Sequence, residues 1–208
     1  MQKVKVFFAV VFFLAVSFVS VAGGGGGEVV KSMAAAKMRV KEITAVIKQN
    51  PRNAQAYADR AAAKVEMGNV FGAIKDYNTA LTLAPENEAF LQGRGNAFVL
   101  VEAYKEALDD FNTALLNNTS VDLIYGRAVA KFHLGDLEGT LSDLDQVVAA
   151  APKHSQALYN RAVVKLELNK AESAIEDLTA FLVQNPNHEI ALLTLALAKK
   201  EVGGVAHR

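Results

Sequence analysis

Four arginines and four aspartates recur in this sequence at one spacing, with each aspartate sixteen residues after its arginine. The pairs are Arg60 with Asp76, Arg94 with Asp110, Arg127 with Asp143, and Arg161 with Asp177. A planar guanidinium can bind a carboxylate through two parallel hydrogen bonds. The constant phase favours a buried or half-buried ladder over solvated surface pairs, because surface charges have no reason to recur in register. The ladder predicts that Asp143→Ala destabilises the fold well beyond Glu138→Ala.

Residues that commonly bind metals or carry out catalysis are few and scattered. The four histidines are His133, His154, His188 and His207, and none forms the i, i+4 pair with a carboxylate that a zinc protease needs. His154 and His188 lie one repeat apart, each two residues after a proline, and are interpreted as turn residues. The absence of cysteine excludes disulfides and thiolate ligands. We therefore predict no cofactor, no metal site and no enzymatic activity.

A glycan hydrolase is the one enzyme class that stays as an alternative. Such an enzyme needs two carboxyl groups about 5 to 10 Å apart that face one cleft. The candidates are Glu66 and Glu167, which are about a hundred residues apart in the sequence.

The spacing of the arginines shows what positions these pairs. Successive arginines lie 34, 33 and 34 residues apart, and this period is typical of an array of helical hairpins. Sixteen residues lead from the middle of one helix, through a short turn, to the facing turn of its antiparallel neighbour. The first unit holds Tyr57, Arg60, Ala61, Lys64, Gly68, Ala73, Tyr77, Ala80 and Pro85 at these phases. This pattern resembles the tetratricopeptide repeat, although tryptophan is absent and arginine replaces the usual leucine of the first helix.

The resemblance implies an all-α fold, a right-handed solenoid of antiparallel helical hairpins of the tetratricopeptide type. The expected repeats span residues 54–87, 88–120, 121–154 and 155–188. A capping helix at 28–50 should cover the first repeat, and a second one at 189–202 should stop at Gly203-Gly204, before a tail at 203–208.

The first 22 residues resemble a secretory signal peptide. Two lysines precede an uncharged run from Val6 to Ala22, and small residues allow cleavage after Ala22, ahead of a flexible glycine spacer at 23–27. The alternative is a membrane anchor formed by residues 6–22, although 17 apolar residues are short for a bilayer span of about 20. The protein is therefore expected to be exported, either periplasmic or secreted.

The turn at Asn117-Asn118-Thr119-Ser120 contains two overlapping acceptor sites for N-linked glycan. In a eukaryotic secretory pathway, Asn117 or Asn118 could carry a glycan. A plain polar turn explains the same residues.

The resemblance also implies a concave groove lined by the first helix of each repeat, which binds a protein or peptide. The predicted lining is Gln92, Asn96, Tyr125, Val129, Phe132, His133, Tyr159, Val163 and Leu166. The aromatic side chains Tyr125, Phe132 and Tyr159 suggest a patch for an apolar segment or an amphipathic helix, or else they pack inside the array. Ala58 and Ala62 stand where family members that hold acidic chaperone tails begin their clamp, which disfavours that role.

These features predict a protein-interaction adaptor or scaffold without catalytic activity. Its net charge of zero provides no basic field for nucleic acid, so the expected partner is a protein or peptide. Contact with a membrane is expected only through an uncleaved N-terminus, in which case the protein is a membrane-anchored scaffold. The sequence leaves the oligomeric state and the identity of the partner open.

Overall fold

The computed structural model describes residues 26–205 and consists of α-helices without a strand in that range. The ten helices are α1 (Gly26–Gln49), α2 (Ala54–Glu66), α3 (Val70–Leu83), α4 (Glu88–Leu100), α5 (Tyr104–Ala114), α6 (Val121–His133), α7 (Leu137–Ala150), α8 (Ser155–Glu167), α9 (Ala171–Gln184) and α10 (Glu189–Val205). They fall into two compact units, here called the N-terminal unit (α1 to α6) and the C-terminal unit (α7 to α10). The predicted signal peptide or anchor lies outside the described residues.

Each unit is built from helices that pack on their neighbours in the sequence. In the N-terminal unit every helix from α1 to α6 contacts the next, and the first helices α2, α4 and α6 also contact one another in order. In the C-terminal unit α7 packs on α8, α8 on α9, and α9 on α10. Local contacts of this kind are typical of hairpin repeats. The predicted all-α fold of helical hairpins is confirmed.

The first helix of each repeat begins at a residue that caps it. The side chains of Asn53, Asn87 and Ser120 accept a hydrogen bond from the backbone N–H three residues later, which satisfies a donor that the helix leaves open. His154 and His188 cap α8 and α10 in the same way, through Nδ1 atoms 3.1 Å from the backbone nitrogens three residues on. The interpretation of these two histidines as turn residues is therefore confirmed.

The turn inside each hairpin contains one residue with a positive φ angle. These residues are Gly68 (φ 74°), Glu102 (60°), Gly135 (84°) and Asn169 (59°), which recur at the same phase of the repeat. Each donates its backbone N–H to the carbonyl three residues before it, and the following N–H reaches back to close the helix end. Glycine adopts this conformation without strain, whereas a glutamate in it is strained by roughly 1–2 kcal/mol.

We expect Glu102→Gly to raise the free energy of unfolding by about 0.5–1 kcal/mol, because relief of the strained φ angle exceeds the added chain entropy of glycine. The control Glu106→Gly, on the exposed face of α5, should lower it by about 1 kcal/mol. Urea unfolding followed by circular dichroism measures both changes. A loss of stability in both variants would contradict the assigned turn.

Small residues allow neighbouring helices to approach closely. Ala61, Ala128 and Ala162 have no exposed surface, and Gly95 is buried at the same phase in α4. The ring of Phe111, itself fully buried, lies next to Gly95 of α4 and Gly126 of α6. These contacts fix the distance between helices in the N-terminal unit.

Both terminal helices are longer than the sequence predicted. α1 begins at Gly26, inside the expected glycine spacer, and α10 continues through Gly203 and Gly204 to Val205. The predicted stop at the second glycine pair is wrong. A glycine costs a helix only about 1 kcal/mol, which neighbouring turns can offset, whereas proline ends one outright.

Candidate functional site

The first arginine of the predicted ladder forms a bidentate pair within its hairpin. Arg60 Nε lies 2.7 Å from Asp76 Oδ2, and Arg60 Nη2 lies 2.8 Å from Asp76 Oδ1. The carboxylate is nearly buried, with 5% of its side chain exposed, and Lys64 Nζ supplies a second cation at 2.7 Å. Arg60 Nη1 also donates to the Thr44 hydroxyl at 3.2 Å, which ties the hairpin to α1.

The same geometry recurs in two further hairpins. Arg94 pairs with Asp110 through bonds of 2.8 and 2.6 Å, and Arg161 pairs with Asp177 at the same two distances. A second cation, Lys165 Nζ, lies 2.7 Å from Asp177. The fourth predicted pair has one member in each unit, with Arg127 in α6 and a buried Asp143 in α7, and stays a prediction.

The lysines of the ladder were missed in the sequence, although their spacing contains a signal. Lys64 and Lys165 each follow their arginine by four residues, one helical turn, and therefore point to the same carboxylate. Both also donate to a backbone carbonyl near the start of the second helix, Gly72 for Lys64 and Ser173 for Lys165. In each of these hairpins, one carboxylate on the second helix thus pairs with two cations that lie one turn apart on the first helix.

The environment of Asp76 makes its contribution to stability dependent on pH. Burial alone would raise the pKa of this carboxyl, but the hydrogen bonds and charges of Arg60 and Lys64 outweigh it, so the pKa lies below the usual 3.8. A carboxyl whose pKa is lower in the folded chain stabilises the fold above the unfolded pKa. That contribution is lost as the pH falls below about 4 through the folded pKa.

The predicted groove residues of α4 present two polar amides at the surface. Gln92 and Asn96 are half-buried, lie one helical turn apart, and make no hydrogen bond to other groups in residues 26–205. Most other asparagines of the N-terminal unit are engaged, for example as caps or, in the case of Asn78, by Arg94 at 2.8 Å. The α4 amides therefore offer donors and acceptors to an external ligand.

At the end of α6, predicted groove residues pack against a neighbouring tyrosine. The rings of His133 and Tyr104 are stacked, with centroids 4.2 Å apart and planes within 3°. Phe132, half-buried, meets the His133 ring edge-on at 5.6 Å. Partial burial lowers the pKa of His133 and so favours its neutral imidazole. The negative charge of Glu102 opposes this effect but does not cancel it.

Three of the predicted groove residues belong to the core instead. Tyr125 is 6% exposed, Val129 is 0% exposed and Val163 is 2% exposed. They flank the small packing positions Ala128 and Ala162, where close helix approach also encloses the neighbouring side chains. The prediction that these three line an open groove is therefore corrected.

Tyr159 and Leu166 of α8 are half-buried and also take part in packing. Both pack against the apolar cluster of the C-terminal unit, and the Tyr159 ring lies 5.2 Å from Phe181 and 5.6 Å from His188. Burial raises the pKa of the Tyr159 hydroxyl. Of the two explanations for the aromatic residues, packing inside the array therefore applies to Tyr125 and Tyr159.

The structure brings together no residues that suggest catalysis among those it describes. No group of three or more histidine, aspartate or glutamate side chains able to hold a metal occurs between residues 26 and 205. Glu66, one of the two hydrolase candidates, forms an ion pair with Arg39 of α1. Glu167 is exposed in the C-terminal unit.

Within the described range, no helix is both long and apolar enough to span a bilayer.

Comparison with known proteins supports the repeat assignment. Residues 125–189 match the family model of the tetratricopeptide repeat. Over 86 residues, 41% of the chain, the sequence is 33% identical to human "Tetratricopeptide repeat protein 6" and covers 16% of that protein. The chain thus spans about a sixth of the length of the curated relatives it matches.

Solved structures show the same architecture. The crystal structure of YrrB, described as "a TPR protein with an unusual peptide-binding site", has a TM-score of 0.69 and 23% identity, over 77% of this chain and 84% of that one. The crystal structure of PilW, described as a "widely conserved type IV pilus biogenesis factor", has a TM-score of 0.72 and 17% identity, over 85% of this chain and 84% of that one. The fold of this chain is that of tetratricopeptide repeat proteins.

Proposed function

We propose that this protein is a non-enzymatic interaction adaptor of an exported compartment, which binds an extended peptide segment of its partner. The peptide lies along the first helices of the N-terminal unit. The observation that carries this proposal is the pair of half-buried amides of Gln92 and Asn96, which make no hydrogen bond to the part of the chain that the structure describes. Both lie on α4, the helix that contacts both α2 and α6. An extended peptide exposes backbone N–H and C=O groups, and an amide side chain can pair with both.

The surroundings of these amides fit a polar peptide rather than an apolar helix. Gln55, Ala62 and Glu66 of α2 are exposed, whereas Tyr125 and Val129 of α6 are buried and present little apolar surface to a ligand. A half-buried amide is also partly desolvated, which strengthens its hydrogen bonds to a ligand. A protein of the same fold, YrrB, is described as having a peptide-binding site.

Export rests on the sequence of residues 1–22, with its two lysines, its apolar run and its small residues before Gly23. A second candidate function is a membrane-anchored scaffold, in which residues 6–22 are retained. The mass of the N-terminal peptide of the mature protein distinguishes the two. A first residue of Gly23 supports cleavage, and an intact Met1 supports the anchor.

The peptide proposal is tested by selecting binders from a displayed library of random peptides with the full chain, and by measuring their affinities by fluorescence anisotropy. We expect Asn96→Ala and Gln92→Ala each to weaken a selected peptide about three- to tenfold, since each variant removes at least one hydrogen bond. The stability of both variants should stay within about 0.5 kcal/mol of the parent, since neither amide bonds to the described residues.

The matched controls are Gln49→Ala and Gln184→Ala, which remove exposed amides at the ends of α1 and α9. These controls should leave the affinity unchanged. Peptides whose affinity is unaffected by all four variants would place the binding site away from α4. A library that yields no binders would reject the peptide proposal.

A further inference from the structure

The last helix, α10, exposes a face that is covered in the complete hairpins. Leu192 and Ala196 occupy the phases of Leu158 and Ala162 in α8, which are buried in a cluster with Ala174, Leu178 and Phe181 of α9. In α10 the equivalent Leu192 is 46% exposed, and Ala196 is exposed as well. Ile190, Leu193 and Leu197 extend this surface with exposures of 58%, 61% and 36%. A continuous apolar surface on one helix is a typical protein-interaction site.

The arginine position of the ladder is apolar in α10, so a helix that covers α10 needs no carboxylate to pair with it. Leu195 stands where the four repeats have arginine, and it packs against the apolar cluster of the C-terminal unit. A helix covering α10 therefore needs no buried carboxylate at this level. In this respect the helix that covers α10 differs from the second helices of the repeats, each of which carries the ladder aspartate.

The charges at the two ends of this face make it complementary to itself. Glu189, Leu193, Ala196 and Lys200 follow one another at helical spacings of four, three and four, so they form one stripe, and all four are exposed. The stripe begins with an acid and ends with a base. In an antiparallel pair of such helices, an arrangement that places Leu193 against Ala196 also places Glu189 against Lys200, because both pairs share one midpoint. Leu192 and Leu197 flank this stripe, one on each side.

We infer that α10 is a homodimer interface, in which the α10 helices of two copies pack antiparallel about a two-fold axis. The small Ala196 permits close approach, Leu192, Leu193 and Leu197 are removed from water, and two Glu189–Lys200 pairs fix the orientation. A single helix face buries less than the roughly 1,200 Å² of a stable interface, so the dimer is weak and concentration-dependent.

Sedimentation equilibrium of the full chain tests this interface. We expect the parent to dimerise with rising concentration, and Leu193→Glu to remain a monomer at concentrations at which the parent is dimeric. The control Val183→Glu changes an 80% exposed residue of α9 and should leave the dimer intact. Circular dichroism should show an equal helix content in all variants.

A charge exchange tests the antiparallel orientation. Glu189→Lys and Lys200→Glu should each weaken the dimer about tenfold, because attraction becomes repulsion at both ends of the interface. The double variant restores the opposite charges and should recover the parent affinity. A dimer affinity that stays the same in both single variants overturns the inference. Association through residues 6–22 would give that result. A parent that stays monomeric at every concentration also overturns it. If Leu193→Glu then lowers the melting temperature, the face is covered by the chain's own residues.

Discussion

Replacement of Asp177 by alanine should lower the free energy of unfolding by about 3–5 kcal/mol, since it removes the buried carboxylate that two cations share in a poorly hydrated site. The carboxylate is 5% exposed and receives hydrogen bonds from Arg161 at 2.8 and 2.6 Å and from Lys165 at 2.7 Å. The side chains of Arg161 and Lys165 are only 16% and 13% exposed, so neither can recover full hydration without moving. Urea unfolding monitored by circular dichroism measures the loss.

The same arginine provides the matched control. Asp145 also pairs with Arg161, at 2.9 Å, but its side chain is 54% exposed. Asp145→Ala should therefore cost at most about 1 kcal/mol, as is usual for a solvated pair. Equal losses for Asp145→Ala and Asp177→Ala would show that burial does not strengthen the ladder. Both aspartates pair with Arg161, so the comparison measures the effect of burying the carboxylate on stability.

The ladder was accessible from sequence because its geometry is local. The sixteen-residue spacing from Arg60 to Asp76 crosses one turn of a single hairpin, so the repeat period is enough to place both side chains. The strained turn residue Glu102 was missed for the converse reason. Its positive φ is imposed by the hairpin on a residue type that does not favour it. Only its phase, one repeat after Gly68, indicates that conformation.

The predicted groove shows where periodicity is insufficient. Asn96, Val129 and Val163 all stand two residues after the ladder arginine, yet Asn96 is half-buried and both valines are in the core. The phase of a residue sets the direction in which its side chain leaves the helix. Its exposure depends on the size of the side chains on the neighbouring helices, which vary from one repeat to the next. A repeat pattern therefore predicts the scaffold better than the surface of one particular array.

Phe111→Ala should destabilise the chain by about 3–5 kcal/mol, because it removes a fully buried ring from between α4 and α6 and leaves a cavity. The control Phe71→Ala removes a ring that is 76% exposed and should change stability by no more than about 0.5 kcal/mol. Thermal and urea unfolding of both variants provide the comparison. Similar losses for the two would mean that the Phe111 ring does not hold these helices together.

Gly126 tests the same contact from the other side. A Cβ atom at Gly126 would lie 2.6 Å from Phe111 Cζ, so Gly126→Ala should cost about 1–3 kcal/mol even though alanine favours a helix. In the Phe111→Ala background the ring is gone, and the added methyl group extends into the cavity. Gly126→Ala should then be neutral or stabilising by up to about 1 kcal/mol. Additive losses in the double variant would contradict the contact, since the cost of the methyl group would then not arise from the ring.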